Sequence, residues 1–123
     1  MVKVIDGGAE FDVGRGGRKL LRIRITAEVD GVRREYTITY GRYGSNNAAK
    51  GFAYASAKAP GGREADAERL SALIRALTGK EPRIRRRSDG TIELECYEGH
   101  LEGFARYAKL ADAIKRWLEE TGQ

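Results

Sequence analysis

The sequence predicts an α+β fold, a two-layer antiparallel sheet of two β-hairpins plus short strands with two main helices on one face. Three observations predict it. Residues 19–29 alternate strictly between apolar and polar, a second alternating pair of runs lies within 83–97, and each hairpin leads to a segment whose apolar residues recur at helical spacing. At 123 residues the chain has the length of one domain, with a core of ordinary size.

A short strand is expected near residues 2–5, followed by a Gly-rich segment up to residue 18. In the first hairpin Leu21, Ile23, Ile25, Ala27 and Val29 share one side, while Arg22, Arg24, Thr26 and Glu28 share the other. Asp30-Gly31 follows, a dipeptide suited to the two left-handed positions of a type I′ turn, and residues 32–41 form the partner strand. A two-residue turn sets Val29 against Val32, Ile25 against Tyr36, Ile23 against Ile38 and Leu21 against Tyr40. The reverse face then pairs Glu28 with Arg33, Thr26 with Glu35, Arg24 with Thr37 and Arg22 with Thr39.

Residues 41–51, GRYGSNNAAKG, suit a flexible loop, and 52–57 alternate aromatics with alanines like a short third strand. Ala67, Leu70, Leu73, Ile74 and Leu77 give an amphipathic helix over 64–78, closed by Gly79 and Pro82. In the second hairpin a two-residue Asp89-Gly90 turn would place Ile84 against Glu95. A three-residue loop, Ser88-Asp89-Gly90 with Gly90 left-handed, instead matches Ile84 with Leu94, Arg86 with Ile92, Arg85 with Glu93 and Arg83 with Glu95. From Glu98 onward one helix is expected, with Leu101, Phe104, Ala108, Ala111, Ile114 and Leu118 in its stripe. Tyr107, Leu110 and Trp117 widen that stripe beyond one sheet contact. The resulting order is ββαββα after the N-terminal strand.

Composition narrows the functional classes. The formal charge is +5, which suits a polyanion partner as well as an ordinary surface, and Cys96 and His100 are the sole members of their kinds, too few for a zinc set. No metal or cofactor is expected. No apolar run is long enough to span a bilayer, and the first residues lack the apolar stretch of a signal peptide, so a cytoplasmic protein is expected. Scarce Asn, Gln, Cys and Met beside abundant Arg, Lys and Glu indicate a heat-adapted source.

Three constellations carry the functional expectation, nucleic acid with duplex DNA preferred. The first is the polar face of the hairpins, where Arg22, Arg24, Thr26, Arg33, Thr37, Thr39, Arg83 and Arg85 could lie along a phosphate backbone, set against Glu28, Glu35, Glu93 and Glu95. The second is the run Arg83, Arg85, Arg86 and Arg87, the densest charge in the chain, which also suits a sheet edge protected from aggregation. The third is the loop carrying Arg42, Tyr43, Asn46, Asn47 and Lys50, where an aromatic among cations could stack on a base. The alternative is an assembly module in which Tyr107, Leu110, Ile114 and Trp117 mate with a twin or another protein. For catalysis no nucleophile–base set or acidic pair stands out; His100 is expected to cap its helix and Cys96 to lie in the core.

The stretches APGGREADAERLSALIRALTGKEPRIRRRSDGTIELEC and HLEGFARYAKLADAIKRWLEET resemble the PaRep repeat family of hyperthermophilic crenarchaea, second group, b subtype, a multi-copy family that implies no agreed activity. The order ββαββα is similar to half of a LAGLIDADG homing-endonuclease domain, whose saddle-shaped sheet lies on duplex DNA. The helix ending in that family's metal-binding acid has no match in VIDGGAEFDVGRGG. The resemblance therefore implies a copy that has lost cleavage and kept a DNA-facing sheet, with a degenerate nuclease as the further alternative.

Overall fold

Two strands, β2 (Lys19–Val29) and β3 (Val32–Tyr43), form the centre of the molecule, in the register that their alternation dictates. Asp30 and Gly31 adopt φ of 50° and 83°, the paired left-handed positions of a type I′ turn. The computed structural model describes residues 1–122, and around this hairpin it has β1 (Val2–Val13) on one side and β4 (Ala48–Tyr54), β6 (Ile92–Cys96) and β5 (Arg83–Arg86) on the other. All six strands are antiparallel, in the order β1-β2-β3-β4-β6-β5. Helices α1 (Gly62–Thr78), α2 (Glu98–Phe104) and α3 (Ala108–Thr121) pack on one face of this sheet, and a 3₁₀ turn at Arg15–Gly17 joins β1 to β2.

The element order is thus ββββαββαα, which corrects the expected ββαββα. Three local readings differ from the structure. The N-terminal strand runs to Val13 instead of Ile5, because Ile5 is an extra residue between Val4, opposite Ala27, and Asp6, opposite Thr26. It shifts the alternation by one and hides the continuation Ala9, Phe11, Val13. The expected loop at 41–51 is mostly strand, with a turn only at Gly44–Asn47. Its glycines make room for rings: a Cβ on Gly51 would stand 2.5 Å from Tyr40, and one on Gly41 2.8 Å from the Tyr43 hydroxyl.

The expected single C-terminal helix is two. At 100° per residue Leu110, Ile114 and Trp117 would fall roughly 140–180° from Leu101, and roughly 80–140° from Phe104, on one straight helix. The break at residues 105–107 turns both sets toward the core, where all five are buried. The apolar stripe proposed as an interface is therefore covered within the chain. Trp117 is 0% exposed and donates from Nε1 to the Lys19 carbonyl at 3.2 Å, Leu110 and Ile114 are buried, and only Tyr107 faces solvent.

The second hairpin follows its expected register, with Gly90 at φ 91° and Arg87 N–H bonded to the Thr91 carbonyl around the three-residue loop. Helix α1 is fastened to the sheet by an ion pair whose carboxylate is buried. On β3 the even-numbered residues face the helices, so Arg34 points at α1, where Nε and Nη2 meet the two oxygens of Asp66 at 2.6 and 2.7 Å. Asp66 is 0% exposed and also accepts the backbone N–H of Ser56 at 2.7 Å, which joins the β4–α1 connection to the same knot. No helix among the described residues is long and apolar enough to cross a membrane.

Replacing Asp66 with Ala leaves the Arg34 guanidinium partly buried without a counter-charge and is expected to cost about 3 kcal/mol in urea unfolding. The double variant Asp66→Ala, Arg34→Leu should recover part of that loss, because the Arg34 charge is then gone and only Arg69, 3.8 Å from Asp66 and bonded to the Pro60 carbonyl, is left without a carboxylate.

Candidate nucleic-acid interface

With all three helices on one side, the other face of the sheet is bare. It carries Arg22, Arg24 and Thr26 from β2, Arg33, Glu35, Thr37, Thr39 and Tyr43 from β3, Lys50, Phe52 and Tyr54 from β4, Arg83 and Arg85 from β5, and Glu93 and Glu95 from β6. Ten of the twelve residues expected to touch nucleic acid do share this side: Arg22, Arg24, Arg33, Thr37, Thr39, Tyr43, Lys50, Arg83 and Arg85 stand on its strands, and Arg87, at the end of β5, reaches Glu93 on the same side.

Two expected contacts lie elsewhere. Arg42 has the parity of Tyr40 and faces the helices, where its guanidinium lies 5.2 Å from the Trp117 ring and donates to Thr121 Oγ1 at 3.2 Å. Arg86, opposite Ile92, also faces the helices and makes a two-pronged pair with Glu64 of α1 at 2.8 and 2.9 Å. The arginine run is therefore divided between the two faces of the sheet.

The arginines that remain do not form a continuous cationic track. Arg22 pairs with Asp12 and Arg24 with Glu10, both acids being on β1, the strand whose length the sequence concealed. Arg85 lies 3.7 Å from Glu93 and 3.2 Å from Glu95, Arg87 is 2.6 Å from Glu93, and Lys50 is 3.9 Å from Glu95. Among the described residues, no carboxylate lies within 4.0 Å of Arg18, Arg33 or Arg83. These three arginines are among the cations free to meet an anion at full strength.

Between them runs a row of aromatic side chains. The Tyr43 and Phe52 rings meet edge to face with centroids 5.6 Å apart, and Tyr54, two residues along β4, is 57% exposed. Arg18, from the connection between β1 and β2, stands over the Tyr43 ring at 4.2 Å. Tyr43, Phe52 and Tyr54 with Thr37 and Thr39 line an open groove of about 470 Å³. The Tyr54 hydroxyl donates to Glu93 at 3.3 Å, and burial together with that carboxylate raises its pKa, which keeps the phenol protonated.

Phe52, Tyr54 and Arg18 are the site residues that sequence reasoning missed. The signal was the alternation in FAYA. Small residues Gly51, Ala53 and Ala55 occupy the buried positions, so the aromatics of this strand face outward. Arg18 leaves no such signal, since its approach to Tyr43 depends on the fold of the connection between β1 and β2.

Neither His100 nor Cys96 belongs to this face. Cys96 is buried, and burial pushes its thiol up to about 12. His100 accepts the Tyr97 N–H on Nδ1 at 2.9 Å and lies 2.9 Å from the Glu81 carbonyl through Nε2, which fixes a neutral ring at the start of α2. Among the described residues, no group of three or more His, Cys, Asp or Glu is gathered to hold a metal ion. No family model, curated protein or solved structure matches the chain.

Burial holds the His100 pKa below its ordinary value, with Lys80 adding to the effect and the Glu81 carbonyl opposing it. As pH falls below about 6.5 the unfolded chain takes up the proton first, so the stability this ring contributes is present above that pH and is lost below it. Urea unfolding between pH 7.5 and 5.5 should show stability decreasing with acid, by at most about 1.4 kcal/mol per pH unit. His100→Gln, which retains an acceptor for the Tyr97 N–H, should flatten the dependence.

Proposed function

We propose that the chain binds nucleic acid on the helix-free face of its sheet, and that the preferred form is a single strand laid along the aromatic row. The observation that carries this reading is the alignment of the half-buried Tyr43 and Phe52 with the exposed Tyr54 in one groove on that face, with an unpaired arginine standing over the first ring. Aromatic faces stack on any base, whereas the backbone contacts come from cations around them. Arg18, Arg33 and Arg83 supply those contacts without first breaking an ion pair.

The same geometry argues against a duplex as the preferred ligand. A duplex presents its phosphates along two rails and its bases edge-on, so it needs a continuous run of free cations. Arg22, Arg24, Arg85 and Arg87 are each engaged by a carboxylate, and withdrawing them offsets part of any phosphate attraction.

Fluorescence anisotropy with labelled single-stranded and duplex oligonucleotides of equal length tests both parts. The single strand should bind more tightly, and Phe52→Ala or Tyr54→Ala should each weaken it by about 1–3 kcal/mol. Replacing Arg33 and Arg83 with Ala should reduce the slope of log K against log salt by about 0.7 per lost phosphate contact. Absence of binding at low salt contradicts the reading, and tighter duplex binding contradicts the strand preference.

A further inference from the structure

Beneath the arginines of the second hairpin lie two carboxylates, and one of their oxygens is fully buried with no donor. Glu93 and Glu95 point to the bare face of the sheet but are only 2% and 3% exposed, because neighbouring side chains cover them. Glu93 Oε1 accepts from Arg87 Nη2 at 2.6 Å and from the Tyr54 hydroxyl at 3.3 Å. Glu95 Oε1 accepts from Arg85 Nη2 at 3.2 Å, and its Oε2 lies 3.9 Å from Lys50 Nζ. Glu93 Oε2 is buried and receives no hydrogen bond; Arg85 Nη1 stands 3.7 Å away, beyond hydrogen-bonding distance.

A buried acceptor without a donor is costly, and such groups are rare enough to call for a specific cause. This one lies outside the hydrophobic core, under two guanidinium groups that are themselves nearly half exposed and carried on long, flexible stems. Arg85, Arg87 and Lys50 outnumber the two carboxylates they touch. The surroundings therefore favour a ligand that combines an anion, a flat ring for Tyr54 and an N–H donor for Glu93.

We propose that Glu93 reads an amino-bearing base, cytosine or adenine, in the bound strand. The exocyclic amine donates to Oε2 while the ring rests on Tyr54 and the adjoining phosphate draws Arg85 or Arg87 outward. Thymine presents a carbonyl oxygen where cytosine presents the amine, so it sets an acceptor against a carboxylate and is disfavoured. This inference rests on the nucleic-acid reading above and gives it a base preference.

Anisotropy titrations of the full chain with short labelled oligo-dC, oligo-dA and oligo-dT at one salt concentration test it. Oligo-dC and oligo-dA should bind at least about tenfold more tightly than oligo-dT, the worth of one hydrogen bond to a charged acceptor. Glu93→Gln, with its folding checked by thermal melting, should collapse that ratio, since an amide can also donate to the thymine carbonyl. Tyr54→Ala should weaken all three alike. Equal affinities in the unaltered chain, or an unchanged ratio in a folded Glu93→Gln protein, overturn the inference while leaving the nucleic-acid reading intact. Failure to bind any of the three overturns both.

Discussion

The structure follows from one constraint, that a strand has two sides and only one of them is buried here. The β2–β3 hairpin commits Leu21, Ile23, Ile25, Tyr36, Ile38 and Tyr40 to the helices, and the remaining strands are held to the same sidedness by their register. Helix α1 is locked to that side by Arg34 and Asp66, α3 by Trp117, and α2 by the bond from the Tyr40 hydroxyl to the Tyr97 carbonyl at 2.8 Å. Most of the polar residues on these strands then share the other side, with Arg34, Arg42 and Arg86 as exceptions that meet the helices. The candidate interface is the unavoidable other half of the core.

How that face manages its charge decides what it can bind. It is rich in arginine, but most of its arginines touch carboxylates supplied by β1 and β6, so its net field is weaker than the number of basic residues suggests. The sheet edges are also guarded. On β1 the Asp6 and Asp12 carboxylates accept the N–H groups of Gly7 and Val13, while β5 is four residues long and rich in arginine. On the reading proposed above, recognition falls to the aromatic groove, to Arg18, Arg33 and Arg83, and to one buried, orphaned carboxylate oxygen.

Much of this was legible in the sequence. Both hairpin registers could be written down from alternation and turn chemistry, because Asp30-Gly31 admits one loop length and the position of Glu95 excludes another for the second hairpin. What could not be read has identifiable physical causes. A single extra residue, Ile5, changed the phase of β1 and removed Glu10 and Asp12 from consideration as partners for Arg22 and Arg24. Gly41 and Gly51 resemble loop residues but serve close approach of tyrosine rings, so Arg42 was never assigned a strand parity that would have turned it inward. The C-terminal stripe was wide because it belonged to two helices, and a break with no Gly or Pro inside it leaves little trace in a sequence.

The central claim is that the helix-free face does the binding, and amide chemical-shift mapping tests it most directly. On titration with a single-stranded oligonucleotide, the account places the largest shifts at Thr37, Thr39, Tyr43, Phe52 and Tyr54, with the helix-side positions Leu110, Ile114 and Trp117 unmoved. Shifts concentrated on α3 with a silent sheet face would contradict it.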